Sequence, residues 1–148
     1  MKIAKALKLK NQLAGDLAQL KDLLTKQNSR SAKQKFDYEN REVLTRLRAK
    51  LDELVKVKAA VAAANAEVYD KIFRLAELKG LVTTLTGLDT KAGVFHEGRG
   101  FAEAACEVEY VAQLGKVDVD KLVAELNAEI QSLQDALDEF NFTRSVNL

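Results

Sequence analysis

Three side chains between Gly93 and Tyr110 carry most of the reactive chemistry this sequence has to offer: His96, Glu97 and Cys106. A histidine beside a carboxylate has the parts of a general base or a metal ligand. A thiol near an imidazole has the parts of a nucleophile. His96 is the only histidine and Cys106 the only cysteine. A metal site wants three or four ligands at suitable spacing, and neither a second histidine nor a paired cysteine is there to supply them. If the segment around Cys106 is a strand, period two turns it inward with Val108 and Tyr110 as a small apolar residue, and His96 is an exposed loop residue. A hairpin could still set His96 across from Cys106, which leaves an enzyme with a site at 96–106 as an alternative. Gly98-Arg99-Gly100 lacks the further glycines and the following helix of a phosphate-cradling loop and reads as a turn. No G-x-S-x-G, H-E-x-x-H or DxDxDG pattern occurs. The expectation is a chain with no catalytic residue, no metal and no cofactor.

Basic residues offer a second kind of chemistry. Lys2, Lys5 and Lys8 lie at helix spacing, and Arg41, Arg46, Arg48 and Lys50 cluster further on. Such stripes can neutralise phosphates, so nucleic acid or an anionic membrane surface is an alternative partner for the N-terminal third. No aromatic residue is interleaved, and a solvated helix face explains the same pattern. Charge is uneven along the chain. Residues 1–50 hold thirteen Lys or Arg against five Asp or Glu, residues 51–100 seven of each, and residues 101–148 three against ten. Nearly equal and opposite totals make attraction between the two ends, within one chain or between copies, the simpler use of that charge.

These residues need elements to position them, and the periodicity supplies three helices. The first is predicted over about 2–24, with Ile3, Ala6, Lys10, Leu13, Leu17, Leu20 and Leu24 on one stripe. The polar, basic run 25–34 is a loop that reverses the chain. The second helix is predicted over 37–79, with Asp37 or Asn40 at its start. Its seam is Leu44, Leu47, Leu51, Leu54, Lys58, Val61, Asn65, Val68, Ile72 and Leu75, a coiled-coil-like rhythm of more than four heptads. Six alanines surround its middle. Asn65 there either fixes register, as a buried Asn does in coiled coils, or ends a segment. At 1.5 Å per residue such a helix would span roughly 60 Å, about twice what the first helix can cover, so the C-terminal region or a second copy must cover the rest, and a second copy is expected.

Five of the seven glycines fall in 80–100, where turns and a short extended piece are expected. Cys106, Val108, Tyr110 and Ala112 then alternate with a mostly polar set, which reads as a strand in a β-hairpin over about 90–113. A short helix from Phe101 is the competing reading. The third helix is predicted over 118–140, capped by Asp118, with Val119, Leu122, Leu126, Ile130, Leu133, Leu137 and Phe140 inward.

Composition agrees with this outline. The 148 residues include no proline and are rich in Ala, Leu, Lys and Glu, as helical bundles are. Their number is that of one domain able to fold without disulfides. The lone thiol, the lysines that interrupt the N-terminal apolar stretch and the lack of an apolar run of about 18 residues point to the cytoplasm.

Several segments together resemble the septicolysin-like family of small bacterial helical proteins. They are the N-terminal MKIAKALKLKNQL, Val61-Ala62-Ala63-Ala64-Asn65, Leu75-Ala76-Glu77, Val117-Asp118-Val119 and the closing Leu137-Asp138-Glu139-Phe140-Asn141-Phe142-Thr143. Their order covers nearly the whole chain. Ala62, Ala64 and Phe142 depart from the family pattern, which has a Thr and a second Asn around Asn65 and a Trp near the end. The resemblance implies a helical protein and brings no site residues with it. The expected fold is mainly α, a long helical hairpin or coiled-coil-like bundle with a small β-hairpin before the C-terminal helix. The expected function is that of a non-enzymatic homo-oligomer, a scaffold or module for a protein partner.

Overall fold

In a computed structural model, which describes residues 1–98 and 106–148, the chain is mainly helical with a small antiparallel hairpin before the last helix. The order is α1 (Ile3–Lys26), α2 (Asn40–Asn65), α3 (Tyr69–Thr86), β1 (Gly93–Glu97), β2 (Cys106–Tyr110) and α4 (Lys116–Thr143). The residues gather into two compact units, Met1–Tyr69 with Leu137–Leu148, and Asp70–Ala136. The turn expected at Gly98-Arg99-Gly100 and the helix considered from Phe101 fall on or start in residues outside those described.

In the first unit, α1 and α2 bury one face each against the other. Ile3, Ala6, Leu13, Leu17 and Leu20 meet Val43, Leu47, Leu54, Val57 and Val61, with Val146 closing the core from the far end of the chain. The spacing in α1 is the one its sequence predicts, and Lys10 and Leu24 sit half-buried on that line. The returning chain ties off α1: its last carbonyls have no helical donors. Tyr38 Oη donates to Leu23 O at 2.7 Å, and Asn40 Nδ2 to Leu24 O at 2.9 Å. Asp37 does not cap α2; it receives the Gln27 side-chain amide at 2.5 Å and donates its own N–H to Gln27 Oε1 at 2.9 Å. Arg30 adds a bond to Lys35 O at 3.0 Å. The two ends of the described chain pair with one another. Met1 N donates to Val146 O at 2.8 Å, Val146 N to Met1 O at 2.7 Å, and Ile3 N to Arg144 O at 3.0 Å.

The single helix expected over 37–79 is two helices. α2 ends at Asn65, and the turn that follows is tightened by Ala66 N to Ala63 O at 3.3 Å and Val68 N to Asn65 O at 2.9 Å. Tyr69 Oη takes the carbonyl of Ala62 at 3.2 Å, and Glu67 pairs with Arg144. The physical reason is the alanine run: six short side chains give the seam too little to grip, while Val68, Tyr69 and Glu67 gain specific partners by turning. With the break in place, α1 has 24 residues and α2 has 26, so α1 is long enough to cover nearly all of α2. The length mismatch that led to a second copy is absent.

In the second unit, Leu75 and Leu78 of α3 and Val119 of α4 are buried. Arg74 holds Glu129 at 2.5 Å. Asp118 is not the cap of α4 but a first-turn residue: its carboxylate accepts the Gly115 N–H at 3.2 Å, the backward half of a capping box. Gly93 opens β1 at φ 104°, a backbone setting that a side chain would strain.

Candidate functional site

The hairpin decides what His96, Glu97 and Cys106 can do together. Its register pairs Phe95 with Val108, His96 with Glu107, and Glu97 with Cys106. Paired residues share a face and neighbours alternate, so His96 projects from one face and Cys106 from the other. The imidazole and the thiol are not brought together. His96 instead sits 4.0 Å from Glu107, both side chains mostly in water. Cys106 is exposed rather than inward, at the start of β2 ahead of the half-buried Val108 and Tyr110. Among the described residues no group of three or more His, Cys, Asp or Glu could hold a metal.

What the hairpin does assemble is a cluster that periodicity did not reveal. Lys91 Nζ lies 4.7 Å from the Phe95 ring centre and 4.3 Å from that of Tyr110, and the two rings meet edge-on at 5.7 Å. Glu97 accepts from Tyr110 Oη and from Lys91 Nζ, the latter at 3.1 Å. The Tyr110 hydroxyl and then the Lys91 ammonium hold the Glu97 carboxyl below its ordinary range. The same carboxylate raises Tyr110 and Lys91 above theirs. A two-stranded ribbon is marginal by itself. Cation–π contact and this ion pair tie one face of it together along its length, and the lysine already fills the space between the rings.

The predicted seam residues fall into three groups. Leu47, Leu54, Val61, Val68 and Leu75 are buried; Asn65 and Ile72 are half-buried; Leu44 and Leu51 are 44% and 43% exposed. The heptad frame put Leu44, Leu51 and Lys58 on the inner line, whereas Val43 and Val57 occupy it. The correction has a simple cause. With α1 as the covering helix, the buried arc centres on Val43, Leu54 and Val61, and residues one step round from it face outward.

That shift leaves an uncovered apolar line on α2. Leu44, Leu51, Val55 and Ala62 recur at steps of seven, four and seven, roughly a quarter-turn from the buried line at ~100° per residue. All four are exposed, Val55 to 57%. Arg41, Arg48 and Lys58 border it, and none of the three has a carboxylate within the 4.0 Å of an ion pair among the described residues. At its Leu44 end the line runs into an open hollow of about 1010 Å³, lined by Leu24, Phe36, Tyr38, Asn40 and Leu44 among others. Phe36 is 54% exposed there. Asn40 Oδ1 is the one buried side-chain polar atom among the described residues with no partner.

No family model, no curated protein and no solved structure matches the chain. Among the described residues no helix is long and apolar enough to cross a membrane.

Proposed function

We propose that this protein is a non-enzymatic helical module that self-associates and acts through its surface, as a scaffold or a partner-binding unit, within the septicolysin-like group it resembles. The observation that carries this is the uncovered line Leu44, Leu51, Val55 and Ala62, an apolar stripe with basic borders along about 27 Å of helix. Sedimentation equilibrium at micromolar concentration tests the reading. A dimer or larger species is expected, and a stable monomer refutes it.

A second reading, binding of phosphate-bearing polymers or anionic membrane by the first unit, is favoured by the cations Arg41, Arg46, Arg48, Lys56 and Lys58, none in an ion pair among the described residues. Phosphate does not explain the leucines between those cations, so it ranks second. Binding of DNA, RNA or acidic liposomes that falls steeply with salt would establish it.

A further inference from the structure

The outward face of α4 repeats the spacing of the α2 stripe in reverse. Val117, Ala124, Ala128 and Asp135 follow one another at steps of seven, four and seven, and Phe142 continues the line seven residues further. All five are exposed, Val117 to 75% and Phe142 to 68%. We propose that α4 of a second copy of this chain docks antiparallel on the α2 stripe and seats its Phe142 in the hollow beside Leu44. The proposal rests on the self-association reading and names the surfaces that carry it.

Matching spacings fix the register. Laid antiparallel, Leu51 meets the second copy's Ala128, Val55 its Ala124, Ala62 its Val117, and Leu44 its Asp135. Large residues at the centre of one stripe meet small ones on the other, which lets the helices approach closely along the ridge. At one end the sizes invert, Ala62 against valine, and at the other Leu44 meets Asp135, whose carboxylate lies at the edge of the apolar contact. Continuing the register past Leu44 carries Phe142 to the level of Asp37. There the hollow opens with Phe36 and Tyr38 on its wall, apolar surface on which an aromatic ring can pack.

Charge agrees with the same register. Arg41 falls level with the second copy's Asp138, and Arg48 lies one turn from its Asp135. In a parallel arrangement with the same apolar matches, Arg48 would instead face Lys121. Charge of the two units is complementary too: counted from the sequence, the first carries sixteen cations against ten carboxylates and the second seven against twelve. The α2 stripe paired with itself would set Arg48 against Lys58, like against like, which argues for α4 as the occupant.

Cysteine cross-linking tests the contact. A Cys106→Ser chain that also carries Val55→Cys and Ala124→Cys should oxidise to covalent dimers, whereas Val55→Cys with Asn127→Cys, a quarter-turn away on α4, should do so poorly. A disulfide that forms only within single chains would overturn the proposal by showing the stripe covered by its own helix. Charge reversal supplies an independent arm: Arg48→Glu and Asp135→Arg should each weaken association, and mixing the two variants should restore it. Phe142→Asp, at an exposed position that leaves the core intact, should raise the dissociation constant more than about tenfold. If wild-type protein associates but Phe142→Asp associates equally well and no cross-link forms, the docking is wrong and self-association stands. A monomeric wild type removes both.

Discussion

Leu51 and Leu54 are three residues apart on one helix, and the structure makes them opposite cases for the same substitution. Leu54 is 9% exposed and packs in the α1–α2 core; Leu51 is 43% exposed. Leu54→Ala removes buried methyl groups and leaves a void, which in packed cores costs about 2–5 kcal/mol. Leu51→Ala loses only its partial contact with the helix surface, and water fills the space, so the cost in the isolated chain is about 1 kcal/mol. Urea titration followed by far-UV circular dichroism, at submicromolar protein and again at fifty-fold higher concentration, separates the two. At the low concentration the midpoint should fall markedly for Leu54→Ala and little for Leu51→Ala. At the high concentration, where association stabilises the wild type by mass action, the gap between wild type and Leu51→Ala should widen while that for Leu54→Ala stays fixed. Equal losses at low concentration would refute the placement of the two leucines. A Leu51→Ala gap that ignores concentration would refute the role of the stripe.

The hairpin cluster should hold over a bounded pH window. The Glu97 carboxyl lies below its ordinary range, so its contribution is present at neutral pH and fades as acid protonates it; Tyr110 and Lys91 lie above theirs, so their share persists until alkaline pH removes those protons. NMR titration should find Glu97 below a normal glutamate, and Glu97→Gln should lower the Tyr110 value toward that of free tyrosine. Tyr38→Phe removes the hydroxyl that satisfies Leu23 O and should cost about 1 kcal/mol in thermal or urea unfolding; no loss would show that water replaces it. Val146→Asp places a charge where the side chain is 4% exposed and should destabilise the first unit by several kcal/mol. His96→Ala and Cys106→Ser project from opposite strand faces and should leave the helical signal and the sedimentation profile unchanged; a change in either would mean these residues serve the fold or the assembly.

Apolar spacing made the helices and the hairpin legible. It placed α1 to within a residue or two at each end, because Ile3, Ala6, Leu13, Leu17 and Leu20 leave only one face to bury. It found the β segment, because Val108 and Tyr110 alternate with glutamates. It failed where spacing is silent. A run of alanines fits any phase, so spacing left open whether Asn65 fixes register or ends a segment, and did not reveal that Val43 rather than Leu44 is the inner residue. Phase depends on which helix does the covering, a tertiary fact that a single helix does not encode. Lys91, Phe95, Glu97 and Tyr110 come together through a strand register that no motif announces. The pairing of Ile3 with Arg144 and of Met1 with Val146 links opposite ends of the described chain, the latter pair 145 positions apart, beyond the reach of any local pattern.

That last pairing has a consequence for how the protein is made. A ribosome delivers α1 and α2 long before Arg144 and Val146, so the first unit waits, with Ile3 unpaired at its backbone and the core open where Val146 will sit, until those residues have been synthesised. Contacts of such long sequence separation close late and slowly. A nascent chain stalled short of Leu137 should therefore expose the end of its hydrophobic core, and a ribosome-bound series of increasing length should turn protease-resistant only when residues 137–148 emerge.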